Sequence, residues 1–380
     1  MSYTYTAIIA IIAALLIVTI YLWIKSRRVK KKAASELYIS GLKALLAGDE
    51  GRAFQDLREV VRQDTNNVDA YLKLGDLFRK GKQYTKALQI HRELTLRSRL
   101  SKEEKEEILK SLALDYSASG KHQKAMSALE ELHRRNGEDD WVIDRLLFEL
   151  EETKMWDKAF EIESRRVKQK GQKESKKLAL YKVCMGKELT EKGELHKARV
   201  AFKEALNYDE NCVPAYLYLG DAYYQDRRLS EAVEHWRKLL DVKPSVGYLV
   251  FDKLERVLYE LGQYGEITEV YNEILSTNPN ESHTLYALGN ILEKKGRSDQ
   301  AIDYYNQILE NDPNFVPAKL NLLKLYEELG LKDKAKRIID NLIKACHPVR
   351  EGFICKNCDF VSTEPLWRCP VCKKWDSFDI

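Results

Sequence analysis

Cys355 and Cys358, then Cys369 and Cys372, form two C-x-x-C pairs separated by ten residues in the last 26 of a 380-residue chain. A C-x-x-C turn aims two thiolates at one point, and two such turns complete a tetrahedral all-sulfur site for zinc or iron. A segment this short buries too little apolar surface to fold alone, so metal binding would supply its folding free energy. A disulfide framework is the competing reading, but the rest of the chain points to a reducing compartment. A redox dithiol is disfavoured because no βαβ pattern surrounds either pair. Cys184, Cys212 and Cys346 fall within helical pattern and read as small buried hydrophobes. Cys346-His347 invites a further ligand, but four thiolates already fill the tetrahedron.

The elements that would position the tail begin at the other end. Ala7 to Ile24 is 18 residues without a charged side chain, enough at about 1.5 Å per residue to cover most of an apolar core of roughly 30 Å. Tyr21 and Trp23 stand where an interfacial aromatic belt would lie. Six positive charges follow within Lys25–Lys32, whereas the six residues before the apolar run carry neither Lys nor Arg. The expected topology has a short N-terminus outside and the body in the cytoplasm. A cleaved signal peptide would carry its charge on the other flank and a small-residue cleavage site. The basic cluster also suits anionic headgroups.

The remaining composition reads as helical. The 63 basic and 59 acidic side chains leave a net charge of +4, which the juxtamembrane cluster alone could supply, so bulk charge does not suggest a nucleic-acid binder. Units recur at about 34 residues, beginning near 34, 68, 106, 140, 179, 213, 248, 282 and 316. The clearest is Tyr216…Leu219-Gly220…Tyr223…Ala232…Trp236…Pro244, followed by Leu285…Leu288-Gly289…Leu292…Ala301…Tyr305…Pro313. Spacings of 3, 4 and 7 put the first-helix residues on one face. A small residue there lets the second helix approach, and a large residue four after the second-helix Ala fills the space beside it. Pro244, Pro279 and Pro313 stop second helices. One helix pair cannot bury its face alone, whereas a stack of nine makes a continuous core. The seven histidines show no metal or triad spacing, and no Gly-rich phosphate loop appears, so no enzyme is expected.

This pattern resembles the tetratricopeptide repeat over 34–349. The expected fold is all-α: a superhelix of about nine helix pairs, with one N-terminal transmembrane helix and a small four-cysteine knuckle domain. The expected segments are an anchor at 1–24, a basic linker at 25–33, the repeat array at 34–349 and the metal-binding domain at 350–380. Such arrays offer a concave surface to partners, and Tyr181, Tyr218 and Arg228 are examples of residues either facing that groove or simply solvated. The tail resembles two rubredoxin-type knuckles, with Cys369-Pro-Val-Cys372-Lys-Lys-Trp375 the closer copy. Asp359 stands where Gly is frequent, and Asp tolerates left-handed backbone. The short loop between knuckles favours a structural role over electron transfer. Trp367, Trp375, Phe353 and Phe360 are expected to form the module's own core; clasping the repeat array is the alternative.

Anchor, repeats and tail in this order resemble the lipopolysaccharide assembly protein B family. The resemblance implies a location on the cytoplasmic face of the bacterial inner membrane. It also implies an adaptor that promotes turnover of the deacetylase LpxC by the membrane protease FtsH, with zinc or iron held by Cys355, Cys358, Cys369 and Cys372. Two alternatives remain at this point: a general membrane-tethered scaffold for lipopolysaccharide enzymes, and an electron-transfer protein.

Overall fold

Among the described residues, nine with left-handed backbone mark the turns inside nine helix pairs: Gly48, Lys82, Gly120, Lys154, Gly193, Arg227, Gly262, Gly296 and Gly330. Their successive spacings are 34, 38, 34, 39, 34, 35, 34 and 34, the intervals found between sequence units. Six are glycines, which enter this conformation without a Cβ penalty. The computed structural model describes residue 19 and residues 34–344 and 352–378, except 138, 172–174 and 264. The apolar run 7–24, apart from residue 19, the basic linker 25–33, and Cys346 and His347 lie outside the described residues. Among the described residues no helix is long and apolar enough to cross a membrane.

The chain divides into two units, one ending at Ile162 and the other starting at Glu163. In the first, α1 (34–46) pairs with α2 (Glu50–Gln63) and α3 (Val68–Lys80) with α4 (Tyr84–Thr95). Next come α5 (Lys102–Ala118) with α6 (His122–Asn136), then α7 (Asp140–Glu152) with α8 (Trp156–Gln169), the helix that carries the unit boundary. The helix of the third unit starts at Lys102 rather than 106, because Ser101 closes a capping box. Its Oγ accepts from Glu104 N–H at 3.1 Å, and Glu104 Oε2 accepts from Ser101 N–H at 2.8 Å.

The second unit holds α9 (Lys176–Glu191) with α10 (Leu195–Tyr208) and α11 (Val213–Gln225) with α12 (Leu229–Val242). Then follow α13 (Phe251–Glu260) with α14 (Glu266–Thr277), α15 (Ser282–Lys294) with α16 (Ser298–Asn311), and α17 (Val316–Glu328) with α18 (Lys332–Lys344). The seventh pair departs from the pattern: a 3-10 turn over Pro244–Leu249 precedes α13. A Cβ on Gly247 would meet Phe251 at 2.4 Å and Leu240 at 2.9 Å, so the turn lies hard against its neighbours. Pro244, Pro279 and Pro313 each fall two residues past the ends of α12, α14 and α16.

The expected notch is physical. Gly75, Gly186, Gly220 and Gly289 each lie sixteen residues before a large side chain: His91, Phe202, Trp236 and Tyr305. A Cβ on any of these glycines would come within 2.4 Å of that ring. Polar atoms on the inserted rings then tie one pair to the next. Trp236 Nε1 donates to Asp221 at 3.2 Å, and the same carboxylate accepts from Lys253 of α13 at 2.7 Å. Tyr305 Oη donates to Asn290 at 2.7 Å, and Asn321 of α17 donates to that Asn290 oxygen at 2.8 Å. The Trp236 and Tyr305 insertions thus pack a pair internally and also fix its register with its neighbour.

Histidines without an evident pattern in the sequence include one such insertion. His91 is fully buried in the Gly75 notch, with Nδ1 2.6 Å from Asp115 Oδ2 and Nε2 3.2 Å from the Leu72 carbonyl oxygen. Both ring nitrogens are thus held by neighbouring oxygens. Arg79 donates to the other oxygen of Asp115 at 2.8 Å and to Asp76 at 2.6 Å. Removing Asp115 leaves the fully buried His91 ring without its carboxylate and Arg79 with Asp76 alone. Asp115→Ala is expected to lower stability by about 3–5 kcal/mol in thermal or denaturant unfolding. A cost below about 1 kcal/mol would mean the network is solvated.

Candidate metal centre

The tail builds one turn twice. Cys355 N–H donates to the Phe360 carbonyl and Asp359 N–H to the Cys355 carbonyl, both at 2.9 Å. Fourteen residues on, Cys369 N–H donates to the Lys374 carbonyl at 2.9 Å and Lys373 N–H to the Cys369 carbonyl at 3.0 Å. The fourth residue after each leading cysteine is left-handed: Asp359 at φ +55° and Lys373 at φ +62°. Asp359 therefore takes the conformation anticipated for it in place of Gly. β1 (Phe353–Ile354) pairs antiparallel with β2 (Val361–Ser362), and bridges Cys355–Phe378 and Arg368–Trp375 close the module.

These turns bring the four predicted cysteines together. All four Sγ atoms lie within 4.8 Å of one another, and Cys355–Cys372 and Cys358–Cys369 stand at 3.6 Å. A metal–sulfur bond of about 2.3 Å gives a tetrahedral edge of about 3.8 Å, so the cluster has the size one zinc or iron requires. A disulfide needs about 2.05 Å and does not describe these pairs. Cys355 and Cys369 are fully buried, while Cys358 and Cys372 are partly exposed.

The protons show the strain of crowding. Desolvation raises the Cys355 thiol, but the Ser377 hydroxyl, the N–H groups of Asn357 and Cys358 and the adjacent Cys372 bring it down to about 6. At Cys358 the Phe360 N–H pulls downward, yet desolvation and the three neighbouring sulfurs carry it up to about 12. The Lys374 N–H is the first cause lowering Cys372. Four thiols this close cannot all ionise unaided, and a divalent cation among them removes that conflict. Cys212, pushed up to about 12 chiefly by desolvation, is the inert buried hydrophobe expected; Cys184 is half-buried.

The tryptophans depart from expectation. Phe353 and Phe360 pack beside the cysteines and buried Phe378, as a module core should. Trp367 instead packs against the core of the repeats, with Nε1 3.4 Å from Tyr218 Oη. Trp375 meets Tyr181 edge-on at 5.7 Å, and Phe353 also stacks over Tyr248 at 6.4 Å. Three successive first elements, α9, α11 and the 3-10 turn, thus each give a tyrosine to the tail. Tyr181 is fully buried, and neither it nor Tyr218 stands free in solvent. Arg228 is exposed and paired with Glu231 at 2.8 Å. A helical phase facing a groove and one facing a docked tail are identical in sequence. The usable signal was the surplus of aromatics in a 26-residue tail too small to bury them.

Comparison with known proteins agrees with this layout. Residues 353–379 match the family described as "Rubredoxin metal binding domain". Residues 69–95, 186–226 and 283–315 match tetratricopeptide repeat families. The chain is 23% identical over 366 residues to "Lipopolysaccharide assembly protein B" of Escherichia coli (strain K12), covering 94% of each. It is 25% identical over 380 residues to the protein of the same name from Haemophilus influenzae, again covering 94% of each. Among solved structures, "Crystal structure of MamA" matches at 23% identity and a TM-score of 0.31, covering 42% of this chain and 92% of that one. "YrrB: a TPR protein with an unusual peptide-binding site" matches at 22% and 0.30, covering 48% and 91%.

Proposed function

We propose that this chain, a relative of lipopolysaccharide assembly protein B along nearly its whole length, acts in lipopolysaccharide assembly as a non-enzymatic adaptor at the bacterial inner membrane. In this reading it holds the deacetylase LpxC near the membrane protease FtsH and so regulates the commitment of precursors to lipid A. Residues 1–24 span the membrane, 25–33 lie against its cytoplasmic surface, 34–349 form the array and 350–380 the metal-binding domain. Cys355, Cys358, Cys369 and Cys372 hold one zinc or iron ion.

The observation that carries the reading is co-linearity: repeats and four-thiol tail occur in the order, and over the 94% extent, of the named relatives. The chemistry required of an adaptor is modest. Holding two partners on one scaffold raises their effective concentration, and no catalytic group is needed. Seating the tail on three repeats would stiffen the surface that a partner meets, lowering the ordering cost of binding.

The test is the half-life of the deacetylase in cells expressing full-length chain, a chain lacking 1–24, or Cys369→Ser/Cys372→Ser. Both altered chains are expected to lengthen it several-fold. Unchanged turnover without 1–24 would remove membrane tethering from the account. Recovery of several biosynthetic enzymes but no protease on crosslinked full-length chain would replace the proteolytic adaptor with a general scaffold.

A further inference from the structure

Two side chains cross between the knuckles. Backbone N–H groups of each turn serve its own sulfurs: Phe360 N–H reaches Cys358, Lys374 N–H reaches Cys372, and Cys372 N–H lies 3.5 Å from Cys369 Sγ. Any sequence that folds a C-x-x-C turn can offer these. Ser377 and Asn357 offer something else. Ser377, past the second knuckle, places Oγ 3.3 Å from Cys355 Sγ of the first. Asn357, inside the first knuckle, hydrogen-bonds Cys372 of the second through its side chain.

Both donors are anchored. Ser377 is 6% exposed; its carbonyl accepts from Lys356 N–H at 2.7 Å, and its hydroxyl donates to the Lys374 carbonyl at 3.1 Å. Lys374 Nζ donates to Asn357 Oδ1 at 2.9 Å, which leaves the amide N–H as the group turned to the sulfur. A cysteine that ligates a metal is a thiolate, an acceptor with no proton to give. Between Cys355 and Ser377 the proton available is then the hydroxyl's. The Lys374 carbonyl also accepts from Cys369 N–H at 2.9 Å, so it keeps a partner when the hydroxyl turns to the sulfur. A hydrogen bond to an ionised acceptor is about twice as strong as a neutral one. Cys355 is fully buried, so water does not substitute for the hydroxyl.

We infer that Ser377 and Asn357 are positioning residues for the bound ion. Each gives a side-chain donor from one knuckle to a thiolate of the other, holding charge on the sulfur and tying the two turns together across the site. The inference rests on the reading that Cys355, Cys358, Cys369 and Cys372 hold one zinc or iron ion, and it adds which residues set how tightly.

The test uses the full chain in detergent micelles, loaded with zinc and titrated with a chromophoric chelator, then loaded with cobalt for absorption spectra. Ser377→Ala is expected to weaken zinc binding about tenfold or more, as loss of a partner behind a ligand does. Its thiolate-to-cobalt absorption moves to lower energy, because a sulfur without its donor gives up charge more readily, while the ligand-field bands stay tetrahedral. Asn357→Ala moves both readouts the same way by less, since Asn357 is exposed to water. Ser377→Thr keeps the hydroxyl and restores both. In zinc-loaded Ser377→Ala the N–H groups of Cys369 and Lys373 keep their hydrogen-exchange protection, which separates a lost donor from a collapsed turn. Zinc affinity of Ser377→Ala within about twofold of the parent would overturn the inference. So would an unshifted absorption, or Ser377→Thr behaving like Ser377→Ala. A parent chain that takes up neither zinc nor cobalt would remove the metal reading itself, and this inference with it.

Discussion

Removing the metal from the tail by chelation is expected to unfold residues 352–378 and uncover Tyr181, Tyr218 and Tyr248. The tail has two strands of two residues each and a buried core of Cys355, Cys369 and Phe378. That core cannot offset the conformational entropy of some 27 ordered residues, at about 1–2 kcal/mol each for the backbone. Structural zinc sites supply about 10–16 kcal/mol of apparent binding free energy, which is folding free energy where the apo site is disordered. Loss of the ion leaves four thiols within 4.8 Å of one another, with no cation to balance their ionisation. The turns then open, and Trp367 and Trp375 lose the backbone that holds them against Tyr218 and Tyr181.

Hydrogen exchange reads this directly. The N–H groups of Cys355, Asp359, Cys369 and Lys373 should lose protection on chelation, while the α15–α16 pair, held by its own core, keeps it. Tryptophan emission should shift to the red. Cys369→Ser should reproduce both changes without chelator. Full protection in the metal-free chain would show that the repeats, rather than the ion, hold the tail together.

Gly220→Ala carries the second large effect. The added Cβ would lie 2.4 Å from both Cδ1 and Nε1 of Trp236. This ring cannot give way cheaply: it is fully buried, and its Nε1 donates to Asp221, which also holds Lys253 of the next pair. Overpacking costs about 1–3 kcal/mol and occasionally more, and this site should reach the top of that range. For a unit of this size, about 3 kcal/mol lowers the melting temperature by about 6–12 °C. Gly265→Ala is the control, since nothing lies within 4 Å of its Cβ position and its φ is −87°. Trp236→Leu in the Gly220→Ala background should recover part of the loss, a coupling that a double-mutant cycle measures. A melt within 1 °C of the parent would mean that the α11–α12 notch is loose.

These two sites differ in how legibly the sequence carried them. The notch was readable because Gly220 and Trp236 belong to one local hairpin, so a fixed spacing of sixteen residues encodes a contact. The thiol cluster was readable for the same reason: each C-x-x-C is a turn of its own, and only the pairing of turns is tertiary. His91 with Asp115 was missed because Asp115 belongs to the following pair, where a buried Asp looks like any surface acid. The 3-10 start of the seventh pair was missed because close packing of Gly247 on Phe251 and Leu240 depends on surroundings absent from the local pattern. Tail docking required knowing which of many tyrosines would receive two tryptophans, a choice made by contact across the fold.

The tail contact also orders events in time. Neighbouring pairs close through contacts about one unit apart, whereas Trp367 reaches Tyr218 across 149 residues. Local helix pairs assemble quickly, and closure over a long span waits for them. On the ribosome the distinction sharpens, because synthesis runs from the N-terminus and Trp367 and Trp375 emerge long after the tyrosines they meet. Tyr181, Tyr218 and Tyr248 therefore wait for their partners until the tail has been translated as far as Trp375. A product that stops short of Trp367 keeps them bare, so closure of the clasp reports that the tail has been made.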